Sequence, residues 1–118
     1  MPGRRKQRVA NQIRFEIAEL LERRTEDPRL RGLSVTSVEI SPDLHQAFIY
    51  VSALSGKEGS QTALAGLKHA SGFFRHELAE RLDLRIVPEL IFRWDASLET
   101  GERISHILDE LAKSNDDA

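Results

Sequence analysis

Lys68, Arg75, Arg81 and Arg85 bracket a short run of small residues, Ala70-Ser71-Gly72, with Phe73 and Phe74 directly after it. Residues Ser60 to Leu82 carry Leu64, Leu67, Phe74, Leu78 and Leu82 at helical spacing, so the glycine interrupts an amphipathic helix. Glycine in a helix interior costs roughly 1 kcal/mol relative to alanine. Ser71 can bond back to a carbonyl one turn earlier and bend the axis. The segment therefore reads as two helices joined at a sharp kink, the second opening with free N–H groups that suit an anion such as phosphate. Small side chains at such a joint would also let another backbone come close. A plain kink in a packed helix is the alternative that this segment alone leaves open. Arg4, Arg5, Lys6 and Arg8 form a second cationic cluster near the N-terminus. Contacts from both clusters to backbone phosphates would release counterions and make binding salt-sensitive. Taken singly, each of these cations is better read as a surface solubiliser or an ion-pair partner, and only as a set at the kink do the two readings stand level.

Other chemistry finds little support. His45, His69, His76 and His106 lack the i, i+3 or i, i+4 pairing of helical metal ligands, so no metal site is expected. No serine sits in a Gly-x-Ser-x-Gly elbow, and neither a Walker loop nor a Gly-x-Gly-x-x-Gly fingerprint occurs. Glu77 and Glu80 are read as intrahelical ion-pair partners of Arg75 and Arg81 rather than as acid/base catalysts. Catalysis is not expected, and no cofactor is.

The elements that must position the cations fit one domain. The chain has 118 residues, 40% apolar and 31% charged, enough for a modest core and against wholesale disorder. Without cysteine it has neither disulfides nor thiolate metal sites. No apolar run approaches the about 20 residues of a membrane span, and no apolar signal core follows the basic N-terminus, so a cytoplasmic location is expected. The net charge of −2 hides an asymmetry, because the first fifteen residues hold no acid while acids dominate from Asp95 onward. A basic face for a polyanion fits that distribution.

Val9, Ile13, Ile17, Leu20 and Leu21 form the stripe of a first helix, about Val9 to Arg23. Phe15 falls off the stripe and is expected to meet another element of the fold or a partner. Asp27-Pro28 ends that region. Two strands follow, Leu33 to Ile40 with Thr36, Val38 and Ile40 on one face, and Gln46 to Ala53 with Ala47, Ile49, Val51 and Ala53 on one face. Ser41-Pro42-Asp43-Leu44 between them has turn chemistry, so an antiparallel hairpin is expected. After the kinked helix pair comes a third strand, Glu89 to Trp94, and Ser97 would cap a last helix. The order is α-β-β-α-kink-α-β-α, and a three-stranded sheet with helices on one face satisfies it. The outer sheet face would expose Phe48, Tyr50 and Ile91 unless the last helix or a partner covers it.

Several runs together resemble a known family. These are Arg8-Val9-Ala10, Asp27-Pro28-Arg29-Leu30, Val38-Glu39-Ile40-Ser41 with Asp43-Leu44, and Ala47 through Ser52. Ala70-Ser71-Gly72-Phe73-Phe74-Arg75, Leu84-Arg85-Ile86-Val87-Pro88-Glu89-Leu90, and Phe92 with Asp95-x-Ser97 complete the set. From about Arg5 to Leu111 the chain resembles the bacterial ribosome-binding factor A family; the extended charged tail of some members is largely absent. The resemblance implies an α+β, KH-type domain of the second topology, with a mixed sheet, over residues 1–112, and a short polar tail over 113–118. In that family an Ala-x-Gly kink, here Ala70-Ser71-Gly72, replaces the Gly-x-x-Gly loop with which KH domains clamp nucleic acid. The implied function is binding of the free small (30S) ribosomal subunit and its 16S rRNA during late maturation, supporting rRNA processing and growth in the cold, with departure before translation. An assembly GTPase is an implied partner, and a monomer with no enzymatic activity is expected. Arg75 and the Ala70–Gly72 kink would centre the RNA surface, with Lys68, Arg81, Arg85 and the N-terminal Arg4, Arg5, Lys6 and Arg8 around it. Arg75→Ala would then weaken binding and leave the fold intact. Three rivals remain: a protein-interaction module using Phe15 and the Phe48/Tyr50/Ile91 face, a helix-turn-helix DNA binder, and an enzyme.

Overall fold

Helix α1 (Pro2–Arg23) opens the chain. A 3-10 turn (Pro28–Leu30), strands β1 (Leu33–Ile40) and β2 (Gln46–Ala53), helices α2 (Ser60–His69) and α3 (Ser71–Arg81), and strand β3 (Glu89–Trp94) follow. The structure, a computed structural model, describes residues 2–23 and 26–96. The expected last helix and the 113–118 tail lie outside the described residues. α1 begins well before Val9, the first residue of its apolar stripe. Proline at the first helical position is pre-set for a helix, and the polar residues after it are good helix formers that need no buried face.

The hairpin pairs β1 antiparallel to β2, and β3 joins β2 in parallel, giving a mixed sheet of order β1-β2-β3. Parallel pairing demands a crossover, which α2 and α3 supply. The hairpin turn is tied by Asp43, whose carboxylate accepts from the Ser41 hydroxyl at 2.6 Å and the His45 N–H at 3.0 Å. Leu44 beside it has φ 64°, a left-handed geometry that costs a leucine about 1–3 kcal/mol. Its side chain packs against the core.

Alternation along β1 is broken by a bulge. Val35 stands opposite Val51 while Ser37 stands opposite Tyr50, so Thr36 is the additional residue. Leu33 and Val35 therefore join Val38 and Ile40 against the core, and Thr36 does not. Its hydroxyl donates instead to the buried Asp95 carboxylate.

Ile13, Ile17 and Leu20 of α1, Leu67 of α2, and Phe74 and Leu78 of α3 meet Ile40, Ile49, Val51 and Leu90 of the sheet in one core. Helices α1, α2 and α3 thus cover one sheet face. On the other face Tyr50 is buried rather than open, and Phe48 and Ile91 are half-buried. The Arg93 guanidinium lies 5.9 Å from the centre of the Phe48 ring. Phe15, by contrast, keeps 66% of its surface exposed, although it borders a hollow with Leu33, Ser34 and Val35 of β1.

Candidate nucleic-acid interface

A single residue, Ala70 (φ −88°, ψ 2°), separates α2 from α3. Its N–H donates to the Gly66 carbonyl at 3.0 Å, and the Ser71 hydroxyl donates to the Lys68 carbonyl at 2.8 Å. The back-bonding expected of this serine is therefore present, and it helps satisfy the free carbonyls at the end of α2. Among the described residues no side chain caps the start of α3, so its first N–H groups keep no capping partner. The aromatic pair holds the joint in place. Phe74 is fully buried, with its ring 5.8 Å from Phe92 of β3 and 5.7 Å from Phe73.

Gly72 lies in the first turn of α3, exposed, and a Cβ built on it would meet no atom within 4 Å. Its φ is not positive. The fold therefore does not require glycine at this position, and the surface above it is open. The close approach expected at the joint occurs one turn earlier. A Cβ on Gly66 would stand 3.0 Å from Arg29 Cβ and 3.3 Å from Leu30 Cδ2, so it is Gly66 that lets α2 settle on the Pro28–Leu30 turn. That turn is braced by Asp27, which accepts from the Arg29 N–H at 3.0 Å and pairs with the Arg29 guanidinium at 3.2 Å. These Arg29 contacts hold the Asp27 carboxyl below its ordinary range, the side-chain hydrogen bond contributing most.

Arg75 reaches across to the loop before β3. Its Nε donates to the Pro88 carbonyl at 3.1 Å and its Nη2 to the Val87 carbonyl at 3.0 Å. The Nη1 edge of the fork is left without a protein partner among the described residues, so one side chain can fix the loop and still offer donors outward. Lys68 and Arg85 are exposed. Around Arg75 lies a cavity of about 490 Å³, lined by His45, Lys68, Ser71, Ile86, Val87 and Glu89 among others. A second, of about 370 Å³, runs on between α2 and β3 over Leu64, Ala65, Ile91 and Arg93. Lys68, Glu89 and Leu90 border both, so the two form one groove along the edge strand. Apolar walls, a cation at the rim and free N–H groups at one end suit a nucleotide chain, its bases against the walls and its phosphates at the joint. Glu89 adds an acceptor for base amino groups.

Other predicted residues go elsewhere. Arg81 turns to α1 and bonds Glu16 at 3.0 Å and Glu19 at 3.1 Å, so its ion pairs join two helices and are not made with Glu77 or Glu80. Arg4, Arg5 and Arg8 are exposed and Lys6 half-buried along α1, which packs on β1 and α3. Arg4 and Arg8 border a different hollow, with Phe15 and Leu82. Among the groove residues that sequence reading missed are His45, Ile86, Glu89 and Arg93. Ile86, an exposed apolar residue in the loop before Pro88, was the one with a visible signal.

A mixed three-stranded sheet, helices on one face and a one-residue kink facing a groove define a KH-like α+β domain. The family model described as ribosome-binding factor A matches residues 5–108. Ribosome-binding factor A of Aromatoleum aromaticum is 42% identical over 112 residues, 95% of this chain and 88% of that protein. The crystal structure of ribosome-binding factor A from Thermus thermophilus superposes with a TM-score of 0.67 at 34% identity, over 75% of this chain and 93% of that one. A homology model of the Thermus thermophilus factor, as fitted into the cryo-EM map of its 30S complex, superposes with a TM-score of 0.62 at 35% identity, over 74% of this chain and 92% of that one. The chain belongs to the ribosome-binding factor A family.

Proposed function

We propose that this protein is a ribosome-assembly factor that binds the free 30S subunit through its 16S rRNA, late in maturation. The observation that carries the reading is Gly72. A helical glycine whose own fold neither crowds it nor twists it lowers stability for no structural return, unless the open surface lets an RNA backbone approach the uncapped start of α3. Ala70, Ser71 and Gly72 form the floor of that contact, with Lys68, Arg75 and Arg85 around it. Arg4, Arg5, Lys6 and Arg8 give α1 a second basic surface, and Arg81 holds α1 against α3. The relative from Thermus thermophilus, captured in a 30S complex, supports the partner assigned here.

The mechanism is one of differential affinity. A factor that binds an immature rRNA arrangement more tightly than the mature one shifts the population toward the former, and it leaves when the mature arrangement wins. No covalent step is required. Support of rRNA processing, of growth in the cold and of release with an assembly GTPase belongs to this same reading. Gly72→Ala is the direct test. Thermal unfolding should show stability unchanged or raised by up to about 1 kcal/mol, while affinity for free small subunits falls. Undiminished affinity would remove the kink from the interface.

A further inference from the structure

Phe15 stands on the solvent side of α1, opposite the residues that α1 buries, and is the exposed aromatic ring on an otherwise polar face. Arg4, Arg8 and Asn11 fall on the same face by helical periodicity. With Leu82 from the segment after α3, they line an open groove of about 640 Å³ beside the ring. The charged lining of this groove is Arg4, Arg8 and Glu16, and Glu16 is already engaged by Arg81 at 3.0 Å, whereas Glu19 and Glu22 border the ring on its other side, toward Leu33 and Val35.

We propose that this face of α1 is a second RNA contact, in which an unpaired base stacks on the Phe15 ring and adjoining phosphates meet Arg4 and Arg8. The inference rests on the RNA-binding reading above and adds to it a separate site and a preference for single-stranded RNA. A flat ring with cations along one side matches a nucleotide, which joins a π-face to an anion. Arg8 stands about 10 Å along the axis from Phe15, within the reach of one nucleotide and an extended arginine. A base paired inside a duplex offers no free face to the ring, so only unpaired nucleotides gain from it.

The test is fluorescence anisotropy with the full chain, on a short unstructured RNA and on the same sequence as a duplex, across a salt series. Phe15→Ala should weaken binding to the single strand roughly tenfold with the salt slope unchanged. Phe15→Trp should retain wild-type affinity, and Phe15→Leu, apolar but not stacking, should behave as the alanine variant. Arg8→Ala should instead lower the salt slope by about one. On the duplex, Phe15→Ala and wild type should be equal. Wild-type affinity of Phe15→Ala for the single strand, with Lys68→Ala impaired on free small subunits, would overturn this site and leave the groove reading standing. If Phe15→Ala kept its RNA affinity but abolished a concentration-dependent mass in light scattering, the occupant would be a second copy of the chain, and the proposal would fall. Failure of the wild type to bind any RNA, free small subunits included, would overturn both readings together.

Discussion

The Arg75 guanidinium divides its donors between the Val87 and Pro88 carbonyls and the open groove. Its charge was legible beside the kink, but its carbonyl partners lie on a loop that only the fold brings near. Arg75→Ala is therefore expected to do more than weaken binding. Loss of two charge-assisted bonds, discounted for exposure, should lower stability by about 1 kcal/mol and speed proteolysis within residues 84–88. Arg75→Lys should not restore either, since an ammonium cannot span both carbonyls as the planar fork does. Asp43 carries a second prediction at this scale. Its hydrogen bond from Ser41, then those from the His45 N–H and side chain, bring its pKa from 3.8 to about 2. A carboxylate depressed in the folded state contributes its stability in full above the unfolded value and loses it as pH falls toward the folded one. The hairpin turn should thus loosen between about pH 4 and pH 2, and Asp43→Ala should close its stability gap to wild type over that window. An NMR titration of the Asp43 carboxyl with its midpoint near 4 would refute the assignment.

Two glycines in adjacent helices have opposite reasons to be glycine. Gly66 is set by packing, since a methyl there would press on Arg29 and on the buried Leu30, whereas nothing within 4 Å limits Gly72. Gly66→Ala should lower the melting temperature despite the better helix propensity of alanine. Gly72→Ala should not, and thermal unfolding of the two variants side by side checks the contrast. Sequence patterning singled out Gly72 because it interrupts an apolar stripe, and passed over Gly66 because its neighbour lies far away in the chain. The strands were legible for a similar reason: alternation and turn chemistry are local. The bulge at Thr36 was not, because its carboxylate partner Asp95 lies beyond β3 and local alternation carries no sign of it. Spacing pairs Arg81 with Glu77 or Glu80 of its own helix, whereas its partners are Glu16 and Glu19 of α1, since spacing reveals neighbours along one helix but not those across two.

Across the whole molecule, the sheet order places α1 over the hairpin side and α2 beside the edge strand β3. The two cationic clusters that the resemblance gathers around one RNA surface are therefore distributed over two surfaces, the groove at the α2–α3 joint and the outer face of α1. Element order and the kink are enough to anticipate a three-stranded sheet with helices on one face, while the KH type and the parallel third strand are what the resemblance to the family implies. The division of the basic residues was not legible, since it depends on which sheet face and which strand each helix covers. Binding that uses a shaped groove and an approachable backbone should discriminate among RNAs, whereas diffuse positive charge would not. Co-sedimentation of the purified protein with free small subunits, mature ribosomes and an unrelated structured RNA, across a salt series, tests this most directly. The expected result is retention on free small subunits alone at near-physiological salt, reduced by Gly72→Ala. Equal retention on every RNA, lost together as salt rises, would contradict it.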